Sequence, residues 1–470
     1  MLTRLRELYR NDRSLQWALL LFMVLYYGAT LSDVGLGPAA PVQNLTFNSM
    51  LQHLLHWRFD VDPAIVGDEG FLRNGLVYSY WGIWCALIRL PLFLVRRMNA
   101  DVTTWSCVVA VCFAGMMKVR TVLLVRRHRV IAAAPEWVFG LMLAYVVLGG
   151  SGVAYLKSSI YQEVVFWAAA FGAAFVYFAV KGVVSGEFSA RTLSWLALFA
   201  GLALLTRVST GIGLCMAFGL LLVVLLVEDA SAVRRMLMPV GVMVALLVVT
   251  GIVNYQRWGH VTTFADHTLY IMNSHYLDRM PRTQIYGYFN VRRIPFGLLY
   301  YFLPLWVLRG ADGHLLFGDM SARLIDAVEL PPSSFLLTDL LPIAFIVWLV
   351  YAVWTRRAVV LQPLGRWLAV AAGLTVPCLL MLTAISMNYR YRMEFYPEMD
   401  LLAFLGLYAI VSNEELLAVF SRWRHWMVAA LAVSIAGAFA LMILYKLSDW
   451  GPSQQYLHDG VVRYYLSAMR

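Results

Sequence analysis

RFDVDPAIVGDEGFLRNGLVYSYWG, residues 58–82, is the stretch on which the reading of this chain turns. It carries four carboxylates within ten residues: Asp60, Asp62, Asp68 and Glu69. An amphipathic segment, 44–57, precedes them, and an aromatic, apolar run, 78–95, follows. The whole chain of 470 residues is 61% hydrophobic and 14% charged. Several runs reach the roughly 20 apolar residues that cross a hydrocarbon core. The fold class is therefore all-α and polytopic. The acids sit in the first long loop of a membrane protein, and the question is what they do there.

Whether 78–95 crosses the membrane decides the topology. It contains Arg89 and Pro91 and is dense in Tyr and Trp, which suits a helix lying at the interface. So does 294–308, which is short and carries two prolines. Without those two runs, eleven spans remain: 15–36, 102–124, 134–153, 161–180, 192–206, 209–227, 236–254, 334–354, 367–386, 398–413 and 426–446. The stretch 193–227 would be about 52 Å long as one helix at 1.5 Å per residue, so it must cross twice, turning at Thr206–Gly211. Lys118, Arg120, Arg126, Arg127 and Arg129 form the largest basic group and mark the inner side. With the N-terminus inside, the inner segments hold about half of the 37 Lys and Arg residues in far less chain than the outer ones. The N-terminus reads as a retained first span rather than a cleaved signal. The outer face then carries a first loop (37–101), a second long region (255–333) and most of the 27 acidic residues.

The net charge of +10 does not indicate nucleic acid, because the basic residues stand in short groups beside apolar runs. Five cysteines lie scattered in apolar segments without a CxxC, so neither a metal centre nor a disulfide framework follows.

Carboxylates in an outer loop can take a proton from an attacking hydroxyl, or hold a divalent cation that screens a phosphate. The segment 44–57, with Phe47, Met50, Leu51 and Leu54 on one helical face, would hold the first-loop acids at the membrane surface. Asp33, at the end of the first span, is a separate candidate. His53 and His56 are three apart and read as polar-face histidines before they read as ligands. Glu163 opens the fourth span, where a carboxylate is costly unless paired or used; Lys157 is its nearest candidate partner. Arg207, at the apex of the helical hairpin, has the fork geometry for a phosphate, with Ser209 and Thr210 beside it. Its alternative is snorkelling to the surface. Arg390, Tyr391, Arg392 and Glu394 precede the tenth span and offer either a phosphate grip or an interfacial belt. In the second outer region, Arg257, Asp266, His267 and Tyr270 offer aromatic and polar surface for a sugar.

The first loop, YQE at 161–163, LLTRVSTG at 204–211, NYQRWG at 254–259 and RYRMEFYP at 390–397 together resemble the GT-C superfamily of membrane glycosyltransferases. That group includes aminoarabinose transferases, protein O-mannosyltransferases and oligosaccharyltransferase catalytic subunits. The resemblance covers the layout of most of the chain, although the HPP triplet and the DExxY arrangement of many members are missing. It implies a single membrane domain that inverts a sugar as it transfers it. The donor would be a polyprenyl-phosphate-linked sugar and the acceptor a glycan, lipid or protein, at the outer face of a bacterial cytoplasmic membrane. On this reading the acids Asp60 foremost, then Asp62, Asp68, Glu69 and Glu163, orient or deprotonate the acceptor. Lys157, Arg207, Arg390 and Tyr391 bind the donor phosphate, and Arg257, His267 and Tyr270 bind the acceptor or sugar. A divalent cation, Mg2+ or Mn2+, is compatible with these acids. The alternatives are a glycan polymerase or ligase using a diphosphate-linked donor, and a transporter of lipid-linked glycans.

Overall fold

A computed structural model describes residues 11–32, 42–150, 157–304, 317–329 and 332–446. Each of the eleven expected spans falls on a helix. In chain order these are Asp12–Leu31, Thr103–Arg127, Glu136–Leu148, Ile160–Val184, Ala190–Leu204, Val208–Glu228, Val233–Trp258, Leu340–Trp354, Leu364–Thr383, Tyr396–Ile410 and Arg424–Lys446. Seven are long and apolar enough to cross a membrane by themselves. The third, fifth and eighth are shorter apolar helices, and the tenth passes only together with Glu414–Arg422, from which it bends by 106°.

The packing follows from where small residues stand. Span four lies against spans two and five, and span six against span nine. A Cβ added at Gly373 of span nine would come within 2.2 Å of the Ala217 backbone in span six, so only glycine permits that approach. The expected hairpin of spans five and six is present: three residues, Leu205 to Arg207, separate the helices.

Three buried ion pairs tie the bundle. Arg89 grips both carboxylate oxygens of Glu163, and both side chains are fully buried. Arg392 pairs with Asp339 at 2.6 Å, again with no exposure on either side. Lys118 reaches Asp400 at 2.8 Å. Charges at this depth are tolerated only when answered. Lys118 thus does not belong to the inner basic group: it lies within span two and is held by span ten. The partner of Glu163 is Arg89 rather than Lys157. The run 78–95 is not one interfacial helix but a strand residue followed by two short helices, Trp84–Leu87 and Leu90–Leu94, with the buried Arg89 at the break between them.

The first loop contains a hairpin that the span reading passed over. Phe71–Arg73 pairs antiparallel with Leu76–Tyr78, turning at Asn74 (φ 51) and Gly75 (φ 76). Two positive φ values at an Asn-Gly pair match the turn whose twist suits a tight hairpin. Two segments then fasten onto this loop. Gly82 N donates to Thr206 O at 3.3 Å and Trp84 N to Leu205 O at 3.1 Å, docking it on the apex of spans five and six. Ile271 N donates to Gly70 O at 3.0 Å, and Phe71 bridges to Tyr270, docking the second long region on the other side. Farther along, Ala327–Val328 pairs in parallel with Ser386–Met387. Four distant stretches of chain therefore meet at one end of the bundle. Asp33 lies outside the described residues, as do parts of the first loop and of the second region.

Candidate functional site

The meeting point is built around Glu69. It ends a short 3-10 turn, Gly67–Glu69, directly before the hairpin. The Tyr270 hydroxyl donates to its Oε2 at 2.7 Å, and Tyr161, from the first residues of span four, stands close enough to interact with its charge. Tyr80 stands close enough to feel the charges of Glu69, Tyr391, Arg390 and Arg207 together; burial, reinforced by Glu69, pushes its phenol well above the usual value. Burial and Glu69 act on Tyr270 in the same direction. These phenols are therefore proton donors, and Glu69 is an acceptor surrounded by hydroxyls.

The two arginines come from the other side. Arg207 caps span six and donates through Nε to Glu394. Ser209 and Thr210 also donate to Glu394, each at 2.6 Å. The hydroxyls expected to assist Arg207 thus serve the buried carboxylate that holds it. Arg390 makes one contact with Glu329, at 3.3 Å, while Tyr389 N donates to the other oxygen of Glu329 at 2.7 Å. Both guanidinium groups lie against Tyr391, at 5.1 and 5.4 Å from its ring centroid. Arg390 also lies 5.0 Å from the Tyr161 ring. Each is partly exposed, 17% for Arg207 and 21% for Arg390. Each has only one of its guanidinium nitrogens engaged among the described residues, so donor capacity is left over.

An aromatic wall closes the third side. Phe71 stacks on Tyr270 at 4.8 Å, and His267 lies 4.7 Å from Tyr288 and 6.4 Å from Tyr80. Burial, helped by nearby Arg279, pushes the His267 imidazole below its usual value, which favours the neutral ring. The C-terminal half of span seven carries an apolar groove of about 520 Å³ lined by Leu247, Val248, Gly251, Ile252 and Tyr255. Gln256 and Val261 also line it.

The structure thus brings together Glu69, Arg207, Arg390, Tyr391, His267 and Tyr270. The remaining candidates lie elsewhere in the fold. Asp60 is buried and held by Arg58, at 2.5 and 3.1 Å, and by His53 at 3.3 Å. Burial works to raise its carboxyl, but the Arg58 hydrogen bond and the His53 charge prevail and hold it below the usual range. Asp62 caps the short helix Pro63–Val66 by accepting from Ala64 N. Asp68 is exposed and meets His275 at 3.2 Å. Glu163 is enclosed by Arg89 and Ser106. Arg257 belongs to span seven rather than to the outer region; it is buried, donates to Trp81 O at 2.7 Å and braces the first loop from below. Lys157 is half-buried beside span four. His56 donates through Nδ1 to Gln52 O at 2.8 Å. Among the described residues, no three His, Cys, Asp or Glu side chains converge in a way that could hold a metal ion.

Three residues of this site carried no signal as candidates. Tyr80 and Tyr161 read as ordinary interfacial aromatics. Glu329 gave no sign in sequence that it would hold Arg390. For Glu394 a signal existed, the single acid in RYRME.

No family model matches the chain, and no curated protein matches it. Among solved structures, it is similar to the Archaeoglobus fulgidus oligosaccharyltransferase in its apo form. The TM-score is 0.48 at 11% identity, over 96% of this chain and 59% of that one. The archaeal oligosaccharyltransferase AglB of the same organism, in complex with an inhibitory peptide and a dolichol-phosphate, aligns with the same score and coverage at 12% identity. The likeness is one of overall helical architecture. This chain spans about six tenths of the length of those proteins.

Proposed function

We propose that this chain is an integral membrane glycosyltransferase that moves a sugar from a polyprenyl-phosphate donor to a hydroxyl-bearing acceptor. The observation that carries the reading is the meeting of one hydroxyl-ringed carboxylate, Glu69, with two arginines that have guanidinium nitrogens to spare. Span seven also carries an apolar groove. A soluble sugar enzyme would not need the groove, and a structural ion pair would not leave the arginines open.

The residues divide the work as follows. The donor's isoprenoid chain lies in the groove on span seven and brings its phosphate to the membrane boundary. Arg207 and Arg390 bind phosphate oxygens through their free nitrogens, with Tyr391 fixing the separation between them. The sugar lies against the aromatic wall of Phe71, His267 and Tyr270. The acceptor hydroxyl displaces the Tyr270 hydroxyl from Glu69 and gives its proton to that carboxylate as its oxygen attacks the anomeric carbon. The bond from that carbon to the phosphate oxygen breaks, the configuration inverts, and the polyprenyl phosphate leaves with its added charge met by the two arginines. Asp60, Asp62 and Asp68 shape the loop that presents Glu69, and Glu163 with Arg89 fixes the loop to spans two and four.

Purified protein in lipid nanodiscs, offered labelled polyprenyl-phosphate sugars and a panel of hydroxyl acceptors, tests this. Transfer that Glu69→Gln abolishes supports it. Undiminished transfer by Glu69→Gln removes Glu69 from the chemistry. Use of diphosphate-linked donors alone would favour the polymerase or ligase, and movement of the donor across the bilayer without consumption would favour the transporter.

A further inference from the structure

The end of the bundle opposite Glu69 carries a second feature, independent of the reading above. Span ten begins next to Glu394 and runs away from the site to Ile410. The chain then turns by 106° into Glu414–Arg422, an amphipathic helix whose apolar side, Leu416 and Phe420, is buried. A helix at right angles to a span, sealed on one side, lies in the plane of the membrane interface. It delivers five consecutive exposed residues, Arg422, Trp423, Arg424, His425 and Trp426, to the start of span eleven.

Two things about this pentapeptide point to a ligand. Trp423 and Trp426 are 51% and 69% exposed. At an interface such indoles sit among head groups, their apolar bodies toward the acyl chains. The arginines are also unanswered. Glu415, on the same helix, is taken by Arg357 at 2.9 Å, and Arg127 and Arg129, at and just after the end of span two, meet Asp12 and Glu136 at the starts of spans one and three. Arg422 and Arg424 form no ion pair with any described carboxylate. Arg424 instead lies over Trp137, 5.5 Å from its ring centroid, and Trp137 in turn stacks on Phe420 at 5.6 Å. That stack sets the guanidinium against an aromatic face rather than against a carboxylate. Two guanidinium forks and two indoles, placed at the interface by a sealed helix, match a phosphodiester with acyl chains attached.

We infer that residues 422–426 form a binding site for the head group of an anionic phospholipid. A zwitterionic head group also offers a phosphate, but its own cation competes for it. A free phosphate offers the charge without the chains that the indoles contact. The site therefore prefers phosphatidylglycerol to both.

The test uses the full chain in detergent and reads bound lipid by native mass spectrometry and by thermal shift, so it needs no enzymatic assay. Phosphatidylglycerol is expected to bind and to raise the melting temperature, more strongly at low salt than at high salt, while phosphatidylcholine and inorganic phosphate do neither. Arg422→Gln with Arg424→Gln is expected to weaken phosphatidylglycerol binding by about tenfold or more. Arg422→Lys with Arg424→Lys keeps the charge and is expected to retain part of it. Spin-labelled phosphatidylglycerol should quench emission that is missing from Trp423→Phe with Trp426→Phe. Equal binding of phosphatidylglycerol and phosphatidylcholine, equal response to inorganic phosphate, or unchanged lipid binding by the Gln variant would each overturn the inference.

Discussion

Arginine appears in two regimes in this molecule. In the interior, Arg392 spends its donors completely: on Asp339 and Thr338, on the hydroxyls of Tyr389 and Tyr396, and on Ser333 O. Arg89 engages all three of its guanidinium nitrogens, with Glu163, Asn48 and Cys85 O. At the loop-bearing end, Arg207 and Arg390 each touch one carboxylate and stop. The residue type and its carboxylate partner are the same in both places. What differs is saturation. A guanidinium whose donors are all met inside a membrane is a strut, because nothing can approach it. One that is anchored by a single nitrogen beside an open surface is held in position for something else.

The largest effect should come from breaking a strut. Arg392→Ala leaves the Asp339 carboxylate buried without its cation, and Arg89→Ala does the same to Glu163. Orphaning one partner of a buried pair costs roughly 3–5 kcal/mol. Each variant should show a steep loss of folded protein, read by thermal unfolding in detergent. The apolar double replacement Arg392→Met with Asp339→Leu should recover most of it. Without that recovery, the pair would have a role beyond holding the bundle.

Glu69→Gln comes next, and it should separate function from stability. Tyr270 can still donate to an amide oxygen, so the melting temperature should move little. Transfer should fall about 10²- to 10⁴-fold, the range for losing a general base. Asp60→Asn should leave transfer near the wild-type rate. Had Asp60 been the acid, the order would reverse.

The eleven helices were legible because hydropathy is a local property: each run announces itself without reference to the others. The double crossing of 193–227 needed only length. Partners were not legible, because they depend on which helices pack. Nothing near Glu163 in sequence points to Arg89, and YLKSSIYQE makes Lys157 the natural guess. Lys118 was read with the inner arginines because it stands two residues from Arg120, yet one more helical turn places it opposite Asp400. The choice among the first-loop acids failed to resolve for the same reason. Asp60 and Glu69 look alike along the chain; Arg58 and His53 neutralise one, while tyrosines from spans and loops up to 200 residues away frame the other. One local cue was there to be used: Asn74-Gly75 marks the hairpin that turns Glu69 toward the second region.

The open arginines sharpen the comparison at intermediate size. Arg390→Gln removes a charge-assisted contact worth about 1.5–3 kcal/mol. It should raise the KM for the lipid-linked donor by roughly ten- to a hundredfold, with a smaller change in melting temperature than Arg392→Ala. Equal destabilisation by the two would mean that Arg390 is a strut as well, and the distinction by saturation would fail.

The smallest effect should be that of Asp60, which lies between the regimes: its carboxylate is buried, but its partner Arg58 is 56% exposed. Its folded-state carboxyl is held below the usual range. The stability it contributes is therefore fully present above the unfolded value of about 3.9 and is lost as the pH falls through the folded one. Asp60→Asn should lower the melting temperature by roughly 2 °C or less near neutral pH, since a half-exposed pair contributes little. The gap from wild type should close as the pH drops below about 4. A gap that stays constant down to pH 3 would mean that the Asp60 side chain acts through shape and hydrogen bonding rather than charge. A gap as large as that of Arg392→Ala would show that exposure of one partner does not weaken a pair here, and that saturation is the wrong variable for sorting the arginines.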